Sequence, residues 1–352
     1  MDDVSRQLLD DLLHTPGTSG YEQRVQQVVR DFLTPLADEI STDAHGNVIA
    51  CKNPTAERRI LIDAHCDQIG LIVSHIDDNG FLFVQPIGGW DPQQLVGQKV
   101  VVWSTDKGVP GVISRKPIHL QDESERGQVA KLKDLWIDIG ASSAQEAGEY
   151  VRIGDSVTLV LGYETLANRR ISGPAMDDRV GLWVGLEAFR QAVSQNPECG
   201  IYMVSAVQEE IGLRGATTAA YGVDPHIGIA LEVTHATDCP GLDPRQQGSL
   251  KVGLGPVVFR GPNMNPHVFD ALENSAKATE ANYQVAACGR AASNDANAIQ
   301  KTRAGVATGL ISMPNRYMHS AVEIVSLDDM EHAAKLLGHY LAHAKVDDPI
   351  IP

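Results

Sequence analysis

The chain changes texture twice along its length. Outside residues 70–163, segments with apolar residues three and four apart alternate with short apolar runs; inside that stretch no convincing helix pattern occurs. "VSRQLLDDLLHT" and "YEQRVQQVVRDFLTPLAD" read as helices, with "GTSGYE" between them as a turn carrying a cap signal. "RRILIDAH", residues 58–65, reads as a buried strand ending at a histidine. After Ala175 the reading is helix ("DDRVGLWVGLEAFRQAVSQ"), strand ("GIYMVSAVQ"), helix ("LRGATTAAYG"), strand ("PHIGIALEVTH"), helix ("PHVFDALENSAKATE") and strand ("GVATGLISMP"). "SLDDMEHAAKLLGHYLAHA" closes the chain as a helix capped by Ser326, with Asp329 as an acidic N3 residue. Such alternation predicts an α/β sheet with helices on both faces. The middle stretch predicts a small all-β module, a barrel or sandwich. Its hairpins turn at Asn79-Gly80 and at Lys107-Gly108, and "AKLKDLWIDIGA" and "VRIGDSVTLVLGY" add strands. The expected organisation is one α/β domain, residues 1–69 and 164–352, interrupted by a β insertion at 70–163.

In an α/β sheet, functional groups collect beyond the carboxyl ends of the strands. His65 and Asp67 follow "ILIDA", Asp177 and Asp178 precede a helix, Glu209 and Glu210 follow "YMVSAVQ", Glu232 ends "HIGIALE", and His319 follows "GVATGLISM". Taken singly, each has an ordinary reading. His65 and Asp67 suit a hydrogen-bonded strand end, Asp178 an N-cap, Glu232 a partner for an arginine, and His319 a satisfied loop histidine. Together they form a nitrogen- and oxygen-rich set that suits Zn²⁺, Co²⁺ or Mn²⁺ and is too poor in thiolate for a structural zinc. Cys66, between His65 and Asp67, points away from them into the core by strand alternation. Two metals about 3.5–4 Å apart need a bridging carboxylate, and a water held by them ionises near pH 7. Hydrolysis also needs a base that is not a ligand. Adjacent glutamates at 209 and 210 divide into one ligand and one base.

The formal charge of −16 argues against nucleic acid as a partner. No apolar stretch approaches the roughly 20 residues of a membrane span. The first residues, "MDDVSRQLLDDLL", lack the basic and apolar regions of a signal peptide. Five scattered cysteines without a CxxC suit reduced thiols, and a cytoplasmic protein is the expectation.

The motifs "LIDAHCDQIGLIV", "FVQPIGGWDP", "GVISRKPIHL", "LWIDIGA", "AMDDRVG", "VQEEIGLRGA", "ALEVTHATD" and "PNRYMHSAVEIVSLDD" resemble, in order, the tetrahedral (TET) aminopeptidases, the deblocking or glutamyl aminopeptidase-like dinuclear metallopeptidases. The resemblance runs almost end to end. It implies a zinc-peptidase-like mixed sheet with a dimerisation domain in place of the β insertion. It further implies Asp177 as the bridging ligand, His65 and Glu232 on one metal, and Glu210 and His319 on the other. Glu209 resembles the general base and Asp67 the acid that orients His65. The implied partners are short peptides and further copies of the chain, as dimers gathered into a hollow tetrahedral dodecamer. Two departures stand out: Glu232 replaces the family's usual Asp, and Gln68 replaces its usual Glu.

A glycoside hydrolase is a rival reading, because Glu209 with a second acid imitates a carboxylate pair and some relatives have carried an endoglucanase label. Two strand-end histidines have no role in that chemistry, and 5% aromatic residues is low for stacking sugars. A catalytically silent binding shell is a second rival, but the base and all five ligands are present. "GPNMNP", "GRAASNDAN" and Gln68 are candidates for shaping the substrate pocket. His119 and His235 are as readily structural as functional.

Overall fold

The computed structural model describes residues 1–104 and 107–352. Helices α1 (Asp3–His14) and α2 (Gln23–Leu33) lead into a hairpin, β1 (Glu39–Thr42) and β2 (Val48–Lys52), and then into β3 (Arg59–His65). The chain next forms β4 (Gly70–Ile76), β5 (Leu82–Ile87), β6 (Lys99–Ser104), β7 (Lys107–Ser114), β8 (Trp136–Asp138) and β9 (Ser156–Leu159). Short helices α3 (Glu123–Arg126) and α4 (Ala144–Tyr150) flank β8. Two strands, β10 (Glu164–Leu166) and β11 (Arg170–Gly173), bring the chain back to α5 (Met176–Val193). Then follow β12 (Gly200–Ala206), α6 (Arg214–Val223), β13 (Ile227–His235), α7 (Pro244–Gln247), β14 (Val257–Arg260), α8 (Pro266–Ala278) and β15 (Gln284–Ala287). The last elements are α9 (Asp295–Gln300), β16 (Ala307–Asn315), β17 (Glu323–Ser326) and α10 (Leu327–His343).

The main sheet is mixed and runs β1-β2-β12-β3-β13-β16-β14-β15. Its centre, β12-β3-β13-β16, is entirely parallel, so four carboxyl ends lie side by side. Alternation decides what each strand shows to each face. On β3, Ile60, Ile62 and Ala64, with Cys66 just beyond, pack into the larger core with Trp183 and Phe189 of α5. Leu61 packs into the smaller core with Ala296 and Ile299 of α9, and Asp63 and His65 share its alternation. Helices therefore cover both faces, as the sequence predicts. Cys66 is fully buried in the larger core, also as expected.

The insertion closes into a barrel, β4-β5-β8-β7-β6-β9, around Leu71, Leu82, Val102 and Ile137. Three local expectations need correction. Lys107 and Gly108 are not a turn: they sit in β7, paired with Ser104 and Trp103 of β6. Thr105 and Asp106, between those strands, lie outside the described residues. The stretch 70–163 does hold a helix, α4, whose N-cap Ser143 accepts a hydrogen bond from the Glu146 N–H; its "AQEAGEY" buries only Ala147, too little for an apolar stripe. Ser326 caps α10 through the Asp328 N–H, but Asp329 does not complete the cap. Its buried carboxylate accepts the N–H groups of Gly253 and Gly255 at 2.7 and 2.6 Å instead, pinning the loop before β14. Among the described residues no helix is long and apolar enough to cross a membrane.

Candidate metal centre

The four parallel carboxyl ends converge on one cluster. His65 is the last residue of β3, Glu232 lies on β13, Glu209 and Glu210 form the turn after β12, and His319 lies four residues beyond β16. Asp177 enters from the start of α5, where Asp177 and Asp178 depart from helical geometry and share a cis peptide bond. His65 Nε2 stands 3.2 Å from Asp177 Oδ1, 3.6 Å from Glu232 Oε1 and 3.9 Å from Glu209 Oε2. His319 Nε2 stands 3.3 Å from both Asp177 Oδ2 and Glu210 Oε2. The two oxygens of Asp177 thus face different histidines. Asp178 does not join the cluster face-on. Its Oδ1 accepts the Gly181 N–H at 3.1 Å and caps the regular part of α5.

The first ring of polar groups is held by a second. The turn carrying both glutamates wraps around Asp67, whose Oδ1 and Oδ2 accept the Glu209 and Glu210 N–H groups at 3.0 and 3.2 Å. Ser19 Oγ donates to Asp67 Oδ2 at 2.6 Å, and His65 Nδ1 lies 3.1 Å from the Asp67 carbonyl and 3.4 Å from its carboxylate. His65 is therefore anchored through Nδ1 and presents Nε2 to the cluster, as a metal-bound imidazole requires. Glu22 accepts the Gly20 and Gln208 N–H groups at 2.6 and 3.2 Å, fixing the residue just before the glutamate pair. Glu323 accepts the Asp177 N–H at 2.9 Å and the His319 N–H at 2.8 Å. Ser19, Glu22 and Glu323 were not singled out from sequence. "GTSGYE" reads as a cap, yet Ser19 and Glu22 bond into the site, and α2 has no side-chain cap. The available signal for Glu323 was a lone acid inside the apolar run "AVEIV".

Electrostatically the cluster is an excess of acid. Burial pushes Glu209 up to about 9, and the carboxylates of Glu232, Glu210 and Asp177 add to that rise. Burial, with the Asp177 charge, pushes Glu210 up to about 7. Burial alone would lower the His65 imidazole, but Asp177, Asp67 and Glu232 hold it well above its usual range. His319 is raised to about 11, chiefly by Asp177 and Glu210. His65 Nε2 and Glu210 Oε1 are buried and make no hydrogen bond. These are the marks of a cation site: ligand atoms at about 2.0–2.1 Å in a tetrahedron stand about 3.3–3.4 Å apart, close to the 3.2, 3.3 and 3.6 Å separations seen here. His65, Glu209 and Glu232 form one potential ligand group and Asp177, Glu210 and His319 another. The residues present fit two divalent ions.

A cleft of about 630 Å³ opens over the cluster, lined by Asp177, Glu209, Glu210, Glu232 and His319 together with Phe259, Leu310 and Ser312. Cys288, Arg290 and residues 291–294 of the "GRAASNDAN" region form another wall, and His235 lies at its edge. "GPNMNP" acts from behind, where Asn263 Oδ1 accepts the Ala292 N–H at 2.7 Å. Gln68 does not line the cleft. Its Oε1 faces the fully buried guanidinium of Arg179 at 3.4 Å. His119 lies far out in an exposed turn of the barrel insertion. A second cavity of about 540 Å³ lies near the amino ends of the strands, beside Arg59, His226 and Thr308. Its arginines, Arg59 and Arg303, are already paired with Asp224 and with backbone carbonyls.

The description of M42 glutamyl aminopeptidase matches residues 46–336. The chain belongs to the M42 glutamyl aminopeptidase family. This M42 chain is 39% identical to the lysyl aminopeptidase of Pyrococcus furiosus, over 98% of its own length and 99% of that protein's. A TET aminopeptidase from a marine sediment archaeon, Thaumarchaeota archaeon SCGC AB-539-E09, superimposes with a TM-score of 0.93 at 35% identity, covering 98% of both chains. The Pyrococcus horikoshii TET1 peptidase, described as assembling into a tetrahedron or a large octahedral shell, superimposes with a TM-score of 0.86 at 30% identity. That match covers 97% of this chain and all of the other. The M42 chain is accordingly a hydrolase, a metal-dependent aminopeptidase.

Proposed function

We propose that this chain removes N-terminal residues from short peptides at a dinuclear centre. Asp177 would be shared between the ions, His65 and Glu232 would complete one ligand set, and Glu210 and His319 the other. The observation that carries this reading is the pair of 3.2–3.3 Å approaches from opposite Asp177 oxygens to two different histidines. The longer glutamate at 232 still reaches, with Oε1 at 3.6 Å from His65 Nε2 while Oε2 accepts the Val233 N–H at 2.8 Å. Two ions of zinc or cobalt, with manganese a further fit, would supply Lewis acidity toward the scissile carbonyl and lower the pKa of the attacking water.

Glu209 does the proton transfer in this reading. Its Oε2 is 3.9 Å from His65 Nε2, farther than Asp177 or Glu232, which suits a group beside the ligands better than one of them. It would take the water's proton and return it to the leaving amine. Asp67 orients His65 and holds the turn from which Glu209 projects. The surrounding carboxylates would receive the substrate's α-ammonium, which restricts cleavage to the N-terminus.

The remaining parts of the reading concern the setting. The barrel would pair subunits, with the TET neighbours suggesting a dodecamer. Ile118, Leu120 and Val129 on it are 60%, 68% and 62% exposed, an unusual apolar load for free surface. An Ile118→Asp, Leu120→Asp double variant should sediment as smaller particles; unchanged size would reject the barrel as the pairing surface. Five free thiols suit a cytoplasmic setting.

The deciding experiment is a panel of aminoacyl chromogenic amides after chelation and reloading with Co²⁺, Zn²⁺ or Mn²⁺. Activity should vanish on chelation and return with metal. Glu209→Gln should keep its ions and lose about 10²–10⁴-fold in kcat, the usual worth of a general base. Full turnover by that variant would remove Glu209 from the mechanism, and chelator-resistant turnover would remove the metals.

A further inference from the structure

Glu323 is buried to 2% exposure, lies outside both potential ligand groups, and does not reach the cleft. We infer that it is a positioning residue that clamps two ligand-bearing segments, those of Asp177 and His319, and thereby sets occupancy of the ion site built on His319. This rests on the dinuclear reading above.

The contacts are specific. One carboxylate oxygen, Oε2, accepts the Asp177 N–H at 2.9 Å and the Asn315 Nδ2–H at 3.3 Å. The other, Oε1, accepts the His319 N–H at 2.8 Å. The strand itself sets the placement, because Glu323 in β17 pairs with Gly173 of β11, four residues before Asp177. One side chain therefore ties the approach to α5 to the loop after β16.

His319 needs such a tie. It has φ +61°, a left-handed conformation unfavourable for a side chain with a Cβ, and Tyr317 two residues earlier has φ +63°. Among the described residues, the loop is bridged to the next strand only at Arg316, through two backbone hydrogen bonds with Ile324, three residues before His319, whose imidazole is 34% exposed, against 1% for His65. The imidazole's ring contacts are the two proposed co-ligands, Asp177 and Glu210. Removing the clamp frees His319 and loosens Asp177. His65 and Glu232, fixed in β3 and β13, keep their places. The two ion sites should therefore respond unequally.

The test is ion occupancy, measured separately from turnover. Wild-type, Glu323→Gln and Glu323→Ala proteins would be loaded with Co²⁺ and titrated with a chelator. Bound cobalt would be counted and its absorption spectrum followed, with circular dichroism and sedimentation monitoring fold and assembly. Glu323→Gln keeps the shape but offers an amide N–H₂ where one of the two backbone N–H groups needs an acceptor. Both variants should bind the ion on His319 about 10–100-fold more weakly, the usual cost of losing such an outer partner, with the ion on His65 and Glu232 weakened less because it feels the clamp only through Asp177. Their kcat should recover at high Co²⁺ with KM unchanged. A variant that binds both ions as tightly as wild type overturns the clamp, as does one that loses both in parallel. Should Glu323→Ala unfold, Glu323→Gln alone decides between these outcomes. A wild type that binds a single ion would instead overturn the dinuclear reading.

Discussion

The two halves of the centre are built from different material. His65 and Glu232 belong to neighbouring central strands, and their side chains are 1% and 8% exposed. Each backbone is laddered to a neighbouring strand, His65 with Ala206 of β12 and Glu232 with Ser312 of β16, so their positions share the sheet's rigidity. Glu210 and His319 sit on a turn and a loop, and depend on outer carboxylates: Asp67 for one, Glu323 for the other. Similar contact distances in the two halves thus conceal unequal support. The sheet half is expected to be preformed, and the loop half to be only as good as its clamps.

The largest expected effect sets the halves against each other. His65→Ala removes the buried group that faces Asp67, Asp177 and Glu232, leaving three largely buried carboxylates without the imidazole they share. It should cost about 3–5 kcal/mol of stability as well as activity. His319→Ala opens a site already one-third exposed; it should lose one ion and activity but cost no more than about 1 kcal/mol. Denaturant unfolding of both metal-free variants is the check, and equal losses would erase the contrast.

A smaller effect is expected where the barrel touches the loop half. A Cβ at Gly89 would stand 3.3 Å from His319 Nδ1, closer than most real contacts. Gly89→Ala should displace the imidazole by a few tenths of an ångström and weaken its ion about tenfold, at the low end for groups that orient a ligand. The His65 ion should be untouched. Cobalt titration would show this, and two unchanged affinities would mean that the loop simply yields.

The smallest effect concerns Glu22, behind the turn that carries Glu209 and Glu210. Burial pushes its carboxyl from 4.5 up to about 7. Between those values the folded protein keeps a proton that the unfolded chain has released. Folding then takes up a proton, so stability falls as pH rises across this window and the contribution levels off above it. Glu22→Gln should flatten the slope by up to about one proton and gain relative to wild type above pH 7, by on the order of 1–3 kcal/mol. Parallel pH–stability curves would show that Glu22 ionises normally.

The α/β frame was legible because the apolar runs have a clear period and stop at polar residues. "RRILIDAH" stops at His65, and "YMVSAVQ" stops just before Glu209. The same punctuation marked the residues that the sheet brings together. What sequence alone could not show were contacts made across chain distance. Ser19 and Asp67 are 48 residues apart, and Asp177 and Glu323 are 146 apart. Asp329 has the spacing of a helix cap, yet bonds a loop more than 70 residues earlier. Helix α4 was hidden for a different reason: it is short, contains Gly148 and packs through a single alanine.

The insertion point has a consequence for architecture. The chain enters the barrel at Gly70, three residues after Asp67, and re-enters the main fold through β11, which ends four residues before Asp177. Both stems of the module are therefore rooted in the centre's own scaffolding. The direction in which the cleft opens is fixed relative to the barrel as a pointer is fixed to its hub. If copies associate through the barrels, as proposed above, the symmetry axes they adopt would also decide where every cleft looks: toward its neighbours across an enclosed space, or out into bulk water. In such an assembly, the choice of who may approach the active site would be made when subunits meet, before any peptide arrives.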